Sequence, residues 1–591
     1  MRNLWNNLLF TSVLLLLLVL LFYFVRTGLP DLFGGKAEAG MEAEAETELP
    51  DSLPEEIYEP AEEEERDGEL MENGEMPLVE AEETVEIREP AVPEGELSES
   101  GIPEEAIELI GDIITADIGH GFSSAQLAVI KDGKLVYRNA WGKVQTIDEQ
   151  GDPVSSAEDV TDETLYDLAS NTKMYSVNYA LQYLMTRGEV DLDTRITDIL
   201  GQEFAEDTID IAYQGFDPIP AETNRAWKAS LTIRDLLKHE AGFPEGPQYY
   251  NDRYDHASRE IDSDNGNVLY AGTDGSEATR EYTRRLICRT PLMYEPHTKT
   301  LYSDLDYMIL CYCLEEITGM RLDEYLKQTF WEPMGLTRTT YNPLENGFTE
   351  ADCAATEPAG NSRDRKLSFS GVRTYTLRGE VHDPNAFYCM SGVSGHAGMF
   401  STATELAYLA SLMLDGTYGE QEYFSREVIG EFTAPKDAEN DNFGLGWWRQ
   451  GDHRRDSFFG TQCSEKTFGH QGFTGTLTMI DPEDRLIVVL LTNKIHSTTL
   501  GDSLSKFRGN YYTTARLGFA PEIIQTGEKN PDDPVGALES LMQERIDAAV
   551  ENAAGKASDY PVVLAYEALK EAEESFEERF GTAGSIQQPG T

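Results

Sequence analysis

Between Lys36 and Gly101, 64 residues carry 25 acidic side chains against 2 basic ones, a net charge of −23, and such a segment cannot build a core. Runs such as Glu62 to Glu65 alternate with Pro and Gly, and aromatics are nearly missing. The little apolar surface available does not offset the entropy of ordering the chain, so the segment is expected to be disordered. Like-charge repulsion extends it, to an upper reach on the order of 210–230 Å. The 591 residues are thereby divided into an amino-terminal piece 1–36, an acidic linker 37–100 and folded material after it. The net charge of −60 over the whole chain argues against nucleic acid as a partner.

The amino-terminal piece holds an almost unbroken apolar run of 18 residues, Leu8 to Val25, flanked by Arg2 and Arg26. That length spans the hydrocarbon of a bilayer with little tilt. It exceeds a usual signal-peptide core, and no small-x-small cleavage site follows between Arg26 and Asp31. A retained single-pass anchor is expected, placing the protein at the cell membrane. The flanking positive charges are nearly balanced and set orientation only weakly.

From Ile102 the pattern becomes globular. Pro103 precedes Ala106, Ile107, Ile110, Ile113 and Ile114, an apolar face at helical period. Ala125 to Lys131 and Lys134 to Trp141 read as strands joined at Asp132-Gly133, a hairpin signal. Gly475 to Ile480 and Leu486 to Thr492 read as a second strand pair near the far end. Mostly helical segments lie between. The expected architecture is α/β: one antiparallel sheet built from both ends of a domain spanning 101–529, flanked by helices, with a mostly helical subdomain and a cleft where the two meet. Residues 530–591 read as a carboxy-terminal helical extension, with helices at Ala537 to Val550 and Pro561 to Phe580.

Three short stretches carry chemistry. Ser170-Asn171-Thr172-Lys173 sets a hydroxyl and an amine three residues apart at a helix start, hence on one face. A serine hydroxyl needs a nearby base to act as a nucleophile, and a helix amino end favours developing negative charge. Taken alone, the pair is equally a helix cap followed by a solvated lysine. Tyr302-Ser303-Asp304 then supplies a phenol; a Tyr302 that approaches Lys173 passes a proton between Ser170 and a leaving group. Phe468-Gly469-His470-Gln471-Gly472-Phe473-Thr474-Gly475 is the third, on a strand edge where glycines let substrate approach the backbone. The amides of Ser170 and Phe473 are candidates for an oxyanion hole, with His470 contacting substrate.

All three in order, with gaps of 132 and 168 residues, resemble the class C beta-lactamase-like group of penicillin-binding proteins and serine esterases. Supporting stretches are Leu231 to Pro244, Val381-His382-Asp383, Gly395 to Ser401, Gly444 to Trp448 and Leu490 to Asn493. In detail the chain is most similar to penicillin-binding proteins of the 4B type. The resemblance, over about residues 115–520, implies a beta-lactamase/transpeptidase-like fold and an acyl-enzyme on Ser170, with Lys173 and Tyr302 as proton carriers. It aligns Asp304 with the second motif and His470 with the third, so that Asp304, His470, Gly472 and Phe473 are expected to meet substrate.

Against beta-lactamases proper, Asp304 stands where the second motif has Asn, and His470 where the third has Lys. A possible negative charge is gained and a fixed positive one lost, which weakens the case for binding a substrate carboxylate. His297 and Cys311 occupy positions where glycines are expected. No histidine pair has ligand spacing, so neither a metal nor a cofactor is expected. The six cysteines show no paired spacing of metal or disulfide type, and most are expected to be buried apolar side chains. The expected activity is an extracytoplasmic serine hydrolase, a D-alanyl peptidase of carboxypeptidase type on cell-wall peptides. The alternatives are an esterase acting on small esters and a non-catalytic domain that binds cell-wall peptides.

Overall fold

The computed structural model describes residues 90–121, 123–261, 266–362, 367–437, 441–451, 453–497, 516–554 and 560–581. The apolar run Leu8 to Val25 and most of the acidic linker lie outside them. Among the described residues no helix is long and apolar enough to cross a membrane.

Helix α1 (Glu104–Gly119) leads into strands β1 (Ser124–Lys131) and β2 (Lys134–Gly142). Their turn is the expected one, with Asp132 and Gly133 at φ 51° and 78°. Helices α2 (Tyr179–Thr186), α3 (Asp304–Thr318) and α4 (Ala403–Asp415) belong to the helical middle. Strands β3 (Trp448–Arg449), β4 (Phe468–Gly472), β5 (Thr476–Asp481) and β6 (Leu486–Thr492) follow. The sheet runs β2-β1-β6-β5-β4-β3 with every neighbour antiparallel, so the two ends of the domain meet where β1 pairs with β6.

Alternation along β6 explains the layers. Ile487, Val489 and Leu491 join a core shared with α2, α3 and α4, whereas Leu486, Val488 and Leu490 join a second core on the opposite face. Both faces of the strand are covered, which is why its sequence is apolar from Leu486 to Leu491. α1 roofs the second core together with α5 (Phe519–Lys529), α6 (Pro534–Ala554) and α7 (Tyr560–Phe580). Leu538, Met542 and Ile546 of α6 and Ala568, Leu569, Ala572 and Phe576 of α7 are buried there. The carboxy-terminal helices thus form where expected, but they complete a core of the domain instead of standing apart from it.

The linker boundary at residue 100 is corrected. Val92 is buried in the first core, and residues 93–95 run along the free edge of β2, where Gly95 N–H donates to Leu135 O at 2.9 Å and Leu135 N–H to Pro93 O at 3.0 Å. Covering an otherwise open sheet edge rewards this short segment despite its acidic neighbours. Deletion of residues 1–89 is expected to leave melting temperature and turnover unchanged. Deletion of residues 1–100 should lower the melting temperature by roughly 2–5 °C, since burying one valine is worth about 1.5–3 kcal/mol. Thermal unfolding of the two truncations beside the full-length protein decides; equal melting temperatures would show that the edge contact adds nothing.

All six cysteines are free and buried, so the burial expected of most extends to every one.

Candidate active site

Ser170 lies in a short helical turn, Ala169–Asn171, directly after the two-residue strand Tyr166–Asp167 that pairs with Phe400–Ser401. Ala169 is held at φ 45°, an uncommon conformation for a residue with a side chain. The buried Asp167 explains its persistence: Oδ1 accepts from Ala169 N–H at 2.8 Å and Oδ2 from His382 N–H at 2.7 Å. Threonines of the β4–β5 hairpin secure the same loop. Thr474 Oγ1 donates to Asp167 O at 2.7 Å, Thr476 Oγ1 to Leu168 O at 2.8 Å, and Thr478 Oγ1 to Asn171 Oδ1 at 3.0 Å. Gly472 is required for this approach, because a Cβ there would lie 2.3 Å from Leu168 O. After Lys173 the helix widens over Met174–Asn178 into π geometry before regular α2 begins. Such a bulge re-aims side chains around it.

Lys173 is completely buried, and its Nζ lies 3.1 Å from Ser170 Oγ, 2.7 Å from Asp304 Oδ1 and 3.0 Å from His396 O. Burial, the largest single influence, would lower its pKa, but Asp304 and Tyr302 together outweigh burial and raise it. Nζ also sits 4.9 Å from the centre of the Tyr302 ring. The Tyr302 hydroxyl is buried without a well-formed hydrogen bond among the described residues. Burial raises its pKa, while the nearby Lys173 and Ser170 pull it down. Its ring is 4.8 Å from that of His239 and 6.0 Å from that of His470.

His470, on β4, is fully buried. Its Nδ1 lies 2.7 Å from Gln471 O, which fixes the proton on Nδ1, and Nε2 has no partner among the described residues. Burial, aided by the charge of Lys173, holds its pKa well below the usual histidine range, so the ring is neutral. Phe473 is 39% exposed and stacks on His382 at 5.4 Å between ring centres. Ser170, Lys173, Tyr302, Asp304 and His470 are therefore drawn into one cluster, with Gly472 packed against the Ser170 loop and Phe473 partly exposed.

A family model described as beta-lactamase matches residues 109–510. The chain belongs to the beta-lactamase family. Relatives within it include a protein of Escherichia coli K12 named "Putative D-alanyl-D-alanine carboxypeptidase", 40% identical over 414 residues that make up 69% of this chain and 87% of that one. One of the same name from Salmonella gallinarum is 39% identical, over 67% of this chain and 84% of that one. Among solved structures, a variant of simvastatin synthase from Aspergillus terreus superposes with a TM-score of 0.50 at 17% identity, covering 72% of this chain and all of that one. At that identity it supports the beta-lactamase fold alone. The protein is a serine hydrolase of this family.

Three residues around this beta-lactamase-type site had no role assigned from sequence. His396 supplies the carbonyl that Lys173 binds, and its Nε2 lies 2.8 Å from Asp383 Oδ1. Asp383, Asp304 and His396 bring ligand-type atoms within 4.8 Å of one another. One Asp304 oxygen already holds Lys173 and one Asp383 oxygen holds His396, so the cluster is engaged in internal bonds. The stretches Val381-His382-Asp383 and Gly395 to Ser401 carried the signal, as parts of the family resemblance. His239 is the other unforeseen neighbour. Burial, aided by Lys173 and Lys436, lowers its pKa to about 3, and it faces Tyr302 as a neutral ring.

Proposed function

We propose that this protein is a membrane-anchored, extracytoplasmic D-alanyl peptidase that cleaves cell-wall peptides through an acyl-enzyme on Ser170. The observation that carries the catalytic part is the 3.1 Å approach of Lys173 Nζ to Ser170 Oγ, with Tyr302 beside both. Ser170 Oγ attacks the scissile carbonyl and its proton passes to the Lys173–Tyr302 pair. The pair then protonates the departing amine as the C–N bond breaks. Water attacks the ester, giving up its proton by the same route, and restores the serine. Amides of Ser170 and Phe473 receive the developing oxyanion. The relatives' carboxypeptidase name supports the peptide substrate, and Leu8 to Val25 with the acidic linker supports a tethered location.

A second activity, esterase, is favoured by one observation: the buried, neutral His470 stands where a cation would otherwise receive a substrate carboxylate. Turnover of a D-alanyl-D-alanine peptide, its carboxamide and a chromogenic short-chain ester distinguishes the two, each in wild type and Ser170→Ala. Release of D-alanine from the free acid at a kcat/KM above that of the ester supports the carboxypeptidase. Ester turnover with none of either peptide would replace it by the esterase.

A further inference from the structure

We propose that Asp304 is a positioning residue that aims the Lys173 lone pair at Ser170 and sets the pH at which that lone pair appears. The inference rests on Ser170 acylation and goes beyond contact with substrate, the part expected of Asp304 from its place in the second motif.

The donor geometry leads there. Lys173 Nζ meets three oxygens: Asp304 Oδ1 at 2.7 Å, His396 O at 3.0 Å and Ser170 Oγ at 3.1 Å. The first two accept hydrogen bonds only, whereas a serine hydroxyl also donates. As an ammonium, Lys173 donates to all three. As a neutral amine it keeps N–H bonds to Asp304 and His396, and its lone pair is left facing Ser170 Oγ, poised to take the hydroxyl proton. Two fixed acceptors therefore act as an orientation jig. The proton removed from Lys173 to create this form goes to solvent, and the one later taken from Ser170 goes to the leaving group, so the balance closes within a turnover.

Charge is the second half. The groups facing Lys173 are Ser170 on its own helix, Tyr302 on the loop into α3, Asp304, Asp306 and Tyr307 on α3, His239, His470 on β4, and His396 with Asp383. His239 and His470 are held neutral by burial, and burial raises the pKa of the Tyr307 hydroxyl and of the Asp306 carboxyl, disfavouring a charge on either. Asp383 carries negative charge: against burial, its bonds to His396 and Ala386 hold its pKa below the usual carboxylate range. Asp304 is the carboxylate in direct contact. It raises the pKa of Lys173 and also that of Tyr302. Removing its charge therefore makes either partner easier to deprotonate, and the direction of the effect is the same whichever of the pair is the base.

Asparagine separates orientation from charge, because its amide oxygen still accepts from Lys173. The test is the pH profile of inactivation of the full-length protein, in detergent, by a neutral p-nitrophenyl alkylphosphonate, with the adduct mapped by peptide mass analysis. Asp304→Asn should move the rising limb down by one pH unit or more. Its plateau should not exceed that of wild type, since a weaker base is left. Asp304→Glu, which keeps the charge, should hold the limb near the wild-type position even where the rate falls. Asp304→Ser is a second neutral variant should Asn not fold, and it should share the lowered limb with a lower plateau because the acceptor is displaced. A limb that stays put or rises in the neutral variants, with the adduct on Ser170, overturns the inference alone. An adduct on another residue, or none, overturns the Ser170 assignment and this inference with it.

Discussion

Ser170→Ala is expected to take no adduct from an activated phosphonate or a beta-lactam and to lose turnover by roughly 10⁴- to 10⁶-fold, with the melting temperature within about 1–2 °C of wild type. The size follows from the division of labour in the cleft. Lys173, Tyr302 and the hairpin amides have no covalent chemistry of their own here, so without the hydroxyl only binding and electrostatic stabilisation remain. The small stability effect follows from position: Ser170 is half-buried, and the loop is held by Asp167, Asn171, Thr474, Thr476 and Thr478, not by the Ser170 side chain. Intact-mass analysis before and after exposure, together with ester turnover, measures both. An adduct of unchanged mass in Ser170→Ala would move the nucleophile elsewhere.

How much of this was readable in the sequence differs by feature, and the differences have physical causes. The β1–β2 hairpin was legible because Asp132-Gly133 demands positive φ at both positions, a local requirement that few other residue pairs meet. The Ser170–Lys173 pairing was legible because helical spacing fixes it. The widening of the helix at Met174–Asn178 was not, since the apolar spacing of Met174, Val177 and Leu181 suits a regular helix as well. His470 lies beside Tyr302, and its proton position depends on the Gln471 carbonyl next to it, which only the folded backbone reveals. Asp383 and His396 were visible only as parts of stretches that resemble the family, without a role, because they lie far from Lys173 in sequence and tertiary packing alone joins them to it. Val92 was hidden by averaging, because composition taken over the whole acidic stretch masks a few residues that cover a strand edge. For α6 and α7 the apolar stripes could be seen, whereas the matching second face of α1 gave no hint of what it meets.

Lys173→Ala and Tyr302→Phe should each slow acylation by about 10²- to 10⁴-fold, and the double variant should be far from the product of the two. The coupling is expected because both residues handle the same proton. Lys173 Nζ is 4.9 Å from the Tyr302 ring centre, and each alters the ionisation of the other. Lys173→Ala does more than delete a base. It leaves Asp304 and the His396 carbonyl without their donor in a buried site, which costs about 1–3 kcal/mol of stability for the carbonyl alone. Tyr302→Phe removes a hydroxyl that has no well-formed hydrogen bond, so the fold should hardly notice while the rate falls. The pair of variants therefore separates catalysis from packing: one loses rate and stability, the other rate alone. Pre-steady-state acylation by a chromogenic ester, read beside urea unfolding, measures both quantities for the three variants. If Tyr302→Phe acylated at the wild-type rate, the phenol would be a wall of the cleft with no part in proton transfer, and Lys173 would carry the proton alone.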